Sequence, residues 1–391
     1  MKPSQKKAYK VCVCAIIKDE FPYLLEWIAY HRVIGVDYFF IYDNESTDGS
    51  TELLEKLDKA DIITHIKFPD TTDKVTQHAA YNDCLQQARN ITEWIAFIDA
   101  DEFILPHKHQ DLKTFLEGYS DVDAIAINWK IFGSSGRRYY EKSLLMERFT
   151  ECSTRNFNHN GNIKTIAKID DIDHVGTHTC VFQSKQSKKY IYPSRKPIPK
   201  AGFIGLGKYI NHDLIQINHY FAKSLEEWNF KRARGRADMH RNNPKKIRDM
   251  SFFETMDQNV EKDLKILDLL QQTKDEIKVL KSLSNISEIE DKLDNFRKVY
   301  EQKLIDNNTE LFLVTSEQEF EKGNQLISLN KVDEAIAAYK YAIKFNPYVP
   351  FYYYQLGKIL LQNNRSHAAI NYFKKATENY KNKLELLKFT K

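Results

Sequence analysis

Long apolar runs are missing from this chain of 391 residues. None reaches the roughly 18 residues that a membrane-spanning helix needs. The basic, polar stretch from Met1 to Lys10 is followed by no apolar segment of signal-peptide length. The expectation is a cytoplasmic protein without a transmembrane segment, with peripheral contact at the inner face of a membrane still open. Cysteine is scarce. Cys12, Cys14, Cys84, Cys152 and Cys180 are odd in number and contain no C-x-x-C pair. That argues against a disulfide framework and against a zinc site, and it suits a reducing compartment. Net charge is only +4, so nucleic acid is not expected as a bulk partner. Tyr9 to Pro22 contains no glycine, which counts against a nucleotidyltransferase with an N-terminal phosphate loop. Acidic residues are absent from Val175 to His212, while lysines and arginines run from Lys185 to Lys208. A second basic cluster spans Lys231 to Arg248. Both read as solvated faces or as contacts with phosphates, an anionic acceptor or a membrane surface.

The first 130 or so residues alternate between two hydrophobic periods. Tyr9 to Ile17, Asp37 to Tyr42, Asp61 to Ile66 and Trp94 to Ile98 read as strands. Cys12 and Cys14 alternate with Val11 and Val13 there, as small core residues on one face. Phe21 to Ile34, Thr51 to Leu57 and Thr76 to Arg89 read as helices, with Ser50 as a cap for the second. This βαβαβαβ series predicts an α/β domain with a mostly parallel, doubly wound sheet. A further strand covers Asp123 to Trp129, and periodicity is poor from Glu141 to Asn218. Val260 to Leu283 and Ile286 to Leu304 carry helical spacing.

The fourth strand stops at Asp99-Ala100-Asp101, with Glu102 beside them. D-x-D triplets are common: Asp121/Asp123 and Asp171/Asp173 are two more. The first differs in following a continuous apolar run. Ligands of open α/β sheets sit at the carboxyl ends of strands. Two carboxylates delivered there suit a divalent metal held against a diphosphate.

The C-terminal end repeats at a period of 34 residues. Gly323 matches Gly357, Ala335 matches Ala369, Tyr339 matches Phe373 and Ala342 matches Ala376. That period with small residues, closed by Asn346-Pro347, is a tetratricopeptide signature. Two units fall short of the usual three, so they are expected to pack on the preceding helices or pair between subunits. The expected layout is residues 1–250 as the α/β domain, 251–312 as a helical connector and 313–391 as an all-α tail with a tetratricopeptide-like repeat pair.

Several blocks in order resemble the family 2-like and family 92 glycosyltransferases. They are Ala15 to Glu20 with Leu25-Glu26-Trp27, Tyr42 to Ser50, Trp94 to Leu105, Asn128-Trp129 with Phe132 to Gly136, and Ile217 to Tyr220 with Lys223 to Trp228. The resemblance covers most of residues 10–240. It implies a GT-A nucleotide-sugar-binding domain, a uridine-diphosphate-sugar donor, and Mn²⁺ or Mg²⁺. It implies transfer of a hexose, with galactose a weak pointer, to a glycan acceptor with inversion. Asp99, Asp101 and His219 are the metal candidates, and Asp99 also the donor's. Asp43 or Asn44 is expected to meet the nucleotide, and Asp19 and Glu20 to line the same crevice. His78 and Asn82, one turn apart on a helix, touch the donor or tie the helix to its loop. Glu227 is the preferred general base because it lies in a matched block, with Asp171, Asp173, Asp213 and Glu226 as alternatives. The rival reading is a catalytically weak scaffold whose repeat tail recruits partners or associates with itself.

Overall fold

The computed structural model describes residues 7–70, 75–107, 111–137, 140–183, 189–198, 205–239, 248, 250–284, 286, 309–347 and 349–388. Contacts divide the chain into two units. One comprises Met1–Arg248 with Phe252–Val299, the other Asp249–Ser251 with Tyr300–Lys391. Among the described residues no helix is long and apolar enough to cross a membrane.

The first unit is built on a mixed sheet. Strands β1 (Tyr9–Ile17), β2 (Tyr38–Asp43), β3 (Ile63–Lys67) and β4 (Thr92–Phe97) form its parallel half, in the order β3-β2-β1-β4. Helices α1 (Phe21–Val33), α2 (Ser50–Lys59) and α3 (Thr76–Ala88) make the crossovers. β1 is apolar on both faces, as a strand covered on both sides must be, and Val11 to Ile17 are all buried. Its register sets Ile17 beside Asp43 and Cys14 beside Phe97, so the carboxyl ends of β1, β2 and β4 share one rim.

Beyond β4 the sheet turns mixed. β8 (Ile163–Lys168) runs antiparallel to both β4 and β6 (Ala124–Ile131). β12 (Ile215–His219) lies parallel to β6 and antiparallel to β5 (Glu102–Pro106), a short strand that the sequence pattern does not single out. The β5–β12 register sets His219 opposite Glu102, one residue past the D-x-D. Helix α1 fixes β5 from beneath. Trp27 Nε1 donates to Glu102 O at 2.8 Å, Tyr30 Oη donates to Ile104 O at 2.8 Å, and His31 Nε2 accepts from Ile104 N at 3.3 Å.

Two local expectations are corrected. Ser50 does not cap α2: Gly49 holds that position at φ +104°, and Ser50 Oγ accepts from Glu20 N instead. The helix expected from Val260 begins only at Leu270. Glu261–Lys262 (β13) pairs with Glu151–Cys152 (β7), and a 3-10 turn covers Lys265–Leu269. Asp263 forces that break, since its carboxylate accepts from Lys265 N at 3.2 Å and from the buried Lys130 at 3.0 Å. The Leu270–Ser284 helix packs on α1, with Arg32 and Glu276 paired at 2.6 Å. The helix expected from Ile286 to Leu304 lies outside the described residues, Ile286 apart.

In the second unit four helices, Thr309–Ser328, Val332–Phe345, Pro350–Gln362 and Ser366–Lys388, form two antiparallel pairs. The repeat positions are the contact positions. Gly323 lies against the Tyr339 ring and Gly357 against the Phe373 ring, while Ala335, Ala342, Ala369 and Ala376 are buried. Tyr352 and Tyr353 are buried and Tyr354 is half-exposed.

Candidate active site

The rim at the carboxyl ends of β1 and β4 opens into a cleft of about 330 Å³. Ile98 N donates to Cys14 O and keeps the chain in the sheet for one more residue. The chain then turns, Glu102 N donating to Asp99 O at 3.1 Å, so both D-x-D side chains reach the cleft. Asp99 accepts from Gln77 Nε2 at 2.8 Å, Tyr81 Oη at 3.2 Å and Lys164 Nζ at 3.0 Å. Asp101 is buried, with Lys231 Nζ 2.5 Å from Oδ2 and His219 Nε2 3.5 Å from Oδ1. Burial opposes its ionisation, yet Lys231 and His219 hold its carboxyl well below the usual range. Burial brings Lys231 down to about 8 against the pull of Asp101. The other two D-x-D triplets lie at the surface, where Asp121 pairs with Lys189 and Arg195.

Whether these residues suit a metal turns on the groups behind them. His219 Nδ1 lies 3.9 Å from Glu102 Oε1, and neither buried atom has a hydrogen-bond partner. Metal-bound imidazoles characteristically offer their second nitrogen to a carboxylate. Carboxylate oxygen with one imidazole nitrogen also suits Mn²⁺. Asp101 and His219 therefore fit as a two-donor seat. Among the described residues no group of three or more His, Cys, Asp or Glu side chains is gathered to hold a metal.

The other candidates divide. Glu20 and Asn44 line the cleft. Glu20 is ion-paired to Arg234 and lies 3.5 Å from Lys223, and Asn44 Nδ2 donates to Phe68 O and Asp70 Oδ1. Asp19, Asp43, His78 and Asn82 are not among its lining residues. Asp19 sits at φ +51° and accepts from Thr47 N at 2.7 Å. Asp43 accepts from Ser46 N and Thr51 Oγ1 and lies 3.5 Å from His65. Burial opposes its ionisation, but those neighbours hold it at about 2. Both acids shape the loop that follows β2. Asn82 bonds to Val175 N and O across to β9 (Ile172–Val175), and His78 Nε2 meets Thr177 Oγ1 at 2.9 Å. Of the two roles open to that pair, the structure shows the tie.

Glu227, the preferred general base, is tied to its neighbours and does not face the cleft. It closes a capping box with Ser224 on α6 (Leu225–Arg234), and its carboxylate receives both Nη atoms of Arg148 at 2.9 and 3.0 Å. Tyr23 Oη donates to it at 2.7 Å. Burial opposes its charge, but Arg148, Ser224 and Tyr23 keep its carboxyl below the ordinary range. It lies outside the cleft lining and has no free lone pair for an acceptor proton. Asp171, Asp173, Asp213 and Glu226 do not line the cleft either.

Pattern reading missed Lys164, Gln77 and Tyr81, all of which hold Asp99. A lone lysine in an aperiodic stretch gave no signal. The basic cluster after Lys231 was a partial one, since Lys231, Arg234, Arg236 and Arg248 all reach the cleft. The Arg248 Nε is buried without a partner among the described residues, and burial with Arg236 nearby pulls its pKa down to about 10. The segment between Asp238 and Arg248 lies largely outside the described residues.

The cleft thus combines the end of a parallel half-sheet, two D-x-D acids and several cations. The glycosyltransferase family 92 model matches residues 7–266, and the chain belongs to that family. A TPR repeat model matches residues 323–364. A glycosyltransferase family 92 protein of Oryza sativa subsp. japonica is 31% identical over 191 residues, 48% of this chain and 32% of that one. One of Ricinus communis is 35% identical over 147 residues, covering 34% and 25%. The chain thus spans about a fifth to a third of the curated relatives it matches. Among solved structures, S. aureus TarS 1–349 in complex with UDP-GlcNAc aligns over 95% of this chain and 92% of that one. It does so at 15% identity and a TM-score of 0.31.

Proposed function

We propose that this chain transfers a hexosyl group from a uridine-diphosphate sugar to a glycan hydroxyl, with inversion and with a divalent metal. The observation that carries the reading is Asp99 and Asp101 at the β4 end, in one cleft with Lys231, Arg234, Arg236 and Arg248. Buried cations without enough anions are what a leaving diphosphate needs, because fixed charge in a water-poor site stabilises charge as it develops. Arg248, whose Nε has no partner among the described residues, supports the same role. Asp101 and His219 would hold Mn²⁺ or Mg²⁺ with Asp99 beside them, and the metal when bound supplies Lewis-acid neutralisation of the diphosphate. Asn44 and Glu20 would face the nucleotide. The matched repeat supports a docking role for the tail, toward a protein partner or a second copy of the chain.

The test is thermal unfolding with UDP-galactose, UDP-glucose and UDP-GlcNAc, each with and without Mn²⁺, on wild type and Asp101→Ala. A ligand at about 100 times its Kd stabilises the folded state by about 2.7 kcal/mol. A metal-dependent rise with one donor, lost in the variant, is expected. No shift with any donor would sink the transferase reading in favour of a scaffold.

A further inference from the structure

Transfer with inversion needs a group that takes the proton from the attacking hydroxyl, and the cleft's acids are poorly placed for it. Each is bound to a cation: Glu20 to Arg234, Asp99 to Lys164, Asp101 to Lys231, and Asp238 to Arg236. A carboxylate so paired is a weakened base.

His178 is held differently. It sits in the tight turn between β9 and β10 (Cys180–Phe182), where Gly176 N donates to Thr179 O. Three consecutive residues of β8 clasp that turn. The His178 Nδ1 meets Ile163 O at 3.0 Å, Lys164 Nζ donates to Thr177 O at 3.2 Å, and Thr165 Oγ1 donates to His178 O at 2.7 Å. A carbonyl can only accept, so Nδ1 carries the hydrogen and Nε2 keeps its lone pair. Nε2 has no partner among the described residues, and His178 lines the cleft. Gly205, at φ +99°, crowds the other side, where an added Cβ would come within 2.2 Å of the His178 Cβ. The ring also packs edge-on against Trp129, with centroids 5.3 Å apart.

We propose that His178 is the general base of this site. The inference rests on the transferase reading. In the step, the acceptor oxygen forms its bond to the anomeric carbon as His178 Nε2 takes the hydroxyl proton. The bond from that carbon to the diphosphate oxygen breaks, and its electron pair leaves with the diphosphate. The charged groups that act on the ring are Lys164, Asp99 and Asp238. Burial, aided by Lys164, brings it down to about 4, so the ring is neutral and able to accept at neutral pH. His159, the cleft's other unassigned histidine, has Phe157 and Phe252 as ring neighbours and no such clasp.

The acceptor is unidentified, so water serves as the acceptor and UDP release from UDP-galactose, UDP-glucose and UDP-GlcNAc is the readout. His178→Asn can still donate to Ile163 O but offers no base. It is expected to lose roughly 10²- to 10⁴-fold in kcat, with the donor KM changed less than about threefold. His178→Ala should regain part of its rate with added imidazole, which a purely structural defect would not do. Undiminished turnover in His178→Asn would overturn the assignment, as would a loss confined to His159→Asn. A rise in donor KM without imidazole rescue would also overturn it. If wild type releases UDP from no donor, the transferase reading falls and the base with it, whereas an active wild type with an equally active variant removes the base alone.

Discussion

His219 Nδ1 faces Glu102 Oε1 across 3.9 Å, and its other ring nitrogen faces Asp101 Oδ1 across 3.5 Å. The imidazole thus stands between two buried carboxylates, with burial pushing Glu102 well above its ordinary pKa. If Asp101 and His219 seat a metal, Glu102 orients the ring from behind. Glu102→Gln is then expected to weaken Mn²⁺ binding about 10- to 100-fold. His219→Ala should abolish binding in the same titration. The readout is Mn²⁺ affinity in the presence of UDP, followed by melting temperature, so it does not depend on turnover. Equal Mn²⁺ affinity in wild type and His219→Ala would remove the metal seat.

Arg148 and Glu227 form a buried two-pronged pair, at 1% and 0% side-chain exposure. Removing one member strands the other's charge, which typically costs about 3–5 kcal/mol. Glu227→Ala should therefore shift the urea unfolding midpoint strongly. The protein that remains folded should keep its donor affinity, because the carboxylate is outside the cleft. A variant with wild-type stability and no UDP release would restore Glu227 as the base.

The parallel half of the sheet was legible because β1, β2, β3 and β4 are short apolar runs punctuated by Gly35, Gly49 and the D-x-D. Their expected limits differ from the observed ones by one or two residues at most ends. The repeat was legible because Gly323 and Gly357 must be small where Tyr339 and Phe373 press on them. What was not legible came from long-range register. Nothing local says that β8 inserts between β4 and β6, yet that insertion brings Lys164 to Asp99 and clasps His178. His219 was reached only through family resemblance, and its physical reason is the β5–β12 pairing. Glu227 was preferred because it lies in a matched block, and Ser224-x-x-Glu227 is also a capping-box pattern. The structure shows the cap.

His31 of α1 is fully buried against β5, bonded to Trp27 O at 2.8 Å, and burial brings it down to about 3. Its folded pKa lies below its unfolded value, so it keeps full stability above about pH 6.5. That stability is lost as pH falls toward 3, at about 1.4 kcal/mol per unit. Glu26 and Asp48 act in the opposite sense, since burial pushes them up to about 7 and about 6. The prediction is therefore a difference. Between pH 6 and 4, wild type should lose stability relative to His31→Gln by about 1.4 kcal/mol per unit. Parallel stability curves for the two proteins would contradict a neutral His31.

Gly323 and Gly357 occupy equivalent helix positions, but their aromatic neighbours are held differently. A Cβ at Gly323 would come within 2.7 Å of the Tyr339 ring, whose hydroxyl is anchored to Asn324 Oδ1 at 2.8 Å. A Cβ at Gly357 would come within 2.8 Å of the Phe373 ring, which has no hydroxyl to anchor it. Alanine should gain about 1 kcal/mol of helix propensity at either site. Overpacking costs about 1–3 kcal/mol when neighbours cannot move. The anchored ring at Gly323 cannot move without giving up its bond, so Gly323→Ala is expected to destabilise the repeat by about 1–2 kcal/mol. At Gly357 the ring can tilt, and the two effects should nearly cancel. Amide exchange in the tail helices of the full-length protein reads this directly. Faster exchange in Gly323→Ala than in Gly357→Ala is expected, and Gly323→Ala with Tyr339→Leu should recover most of the protection. Equal protection in the two single variants would mean that the hydroxyl anchor does not set the rigidity of the first repeat.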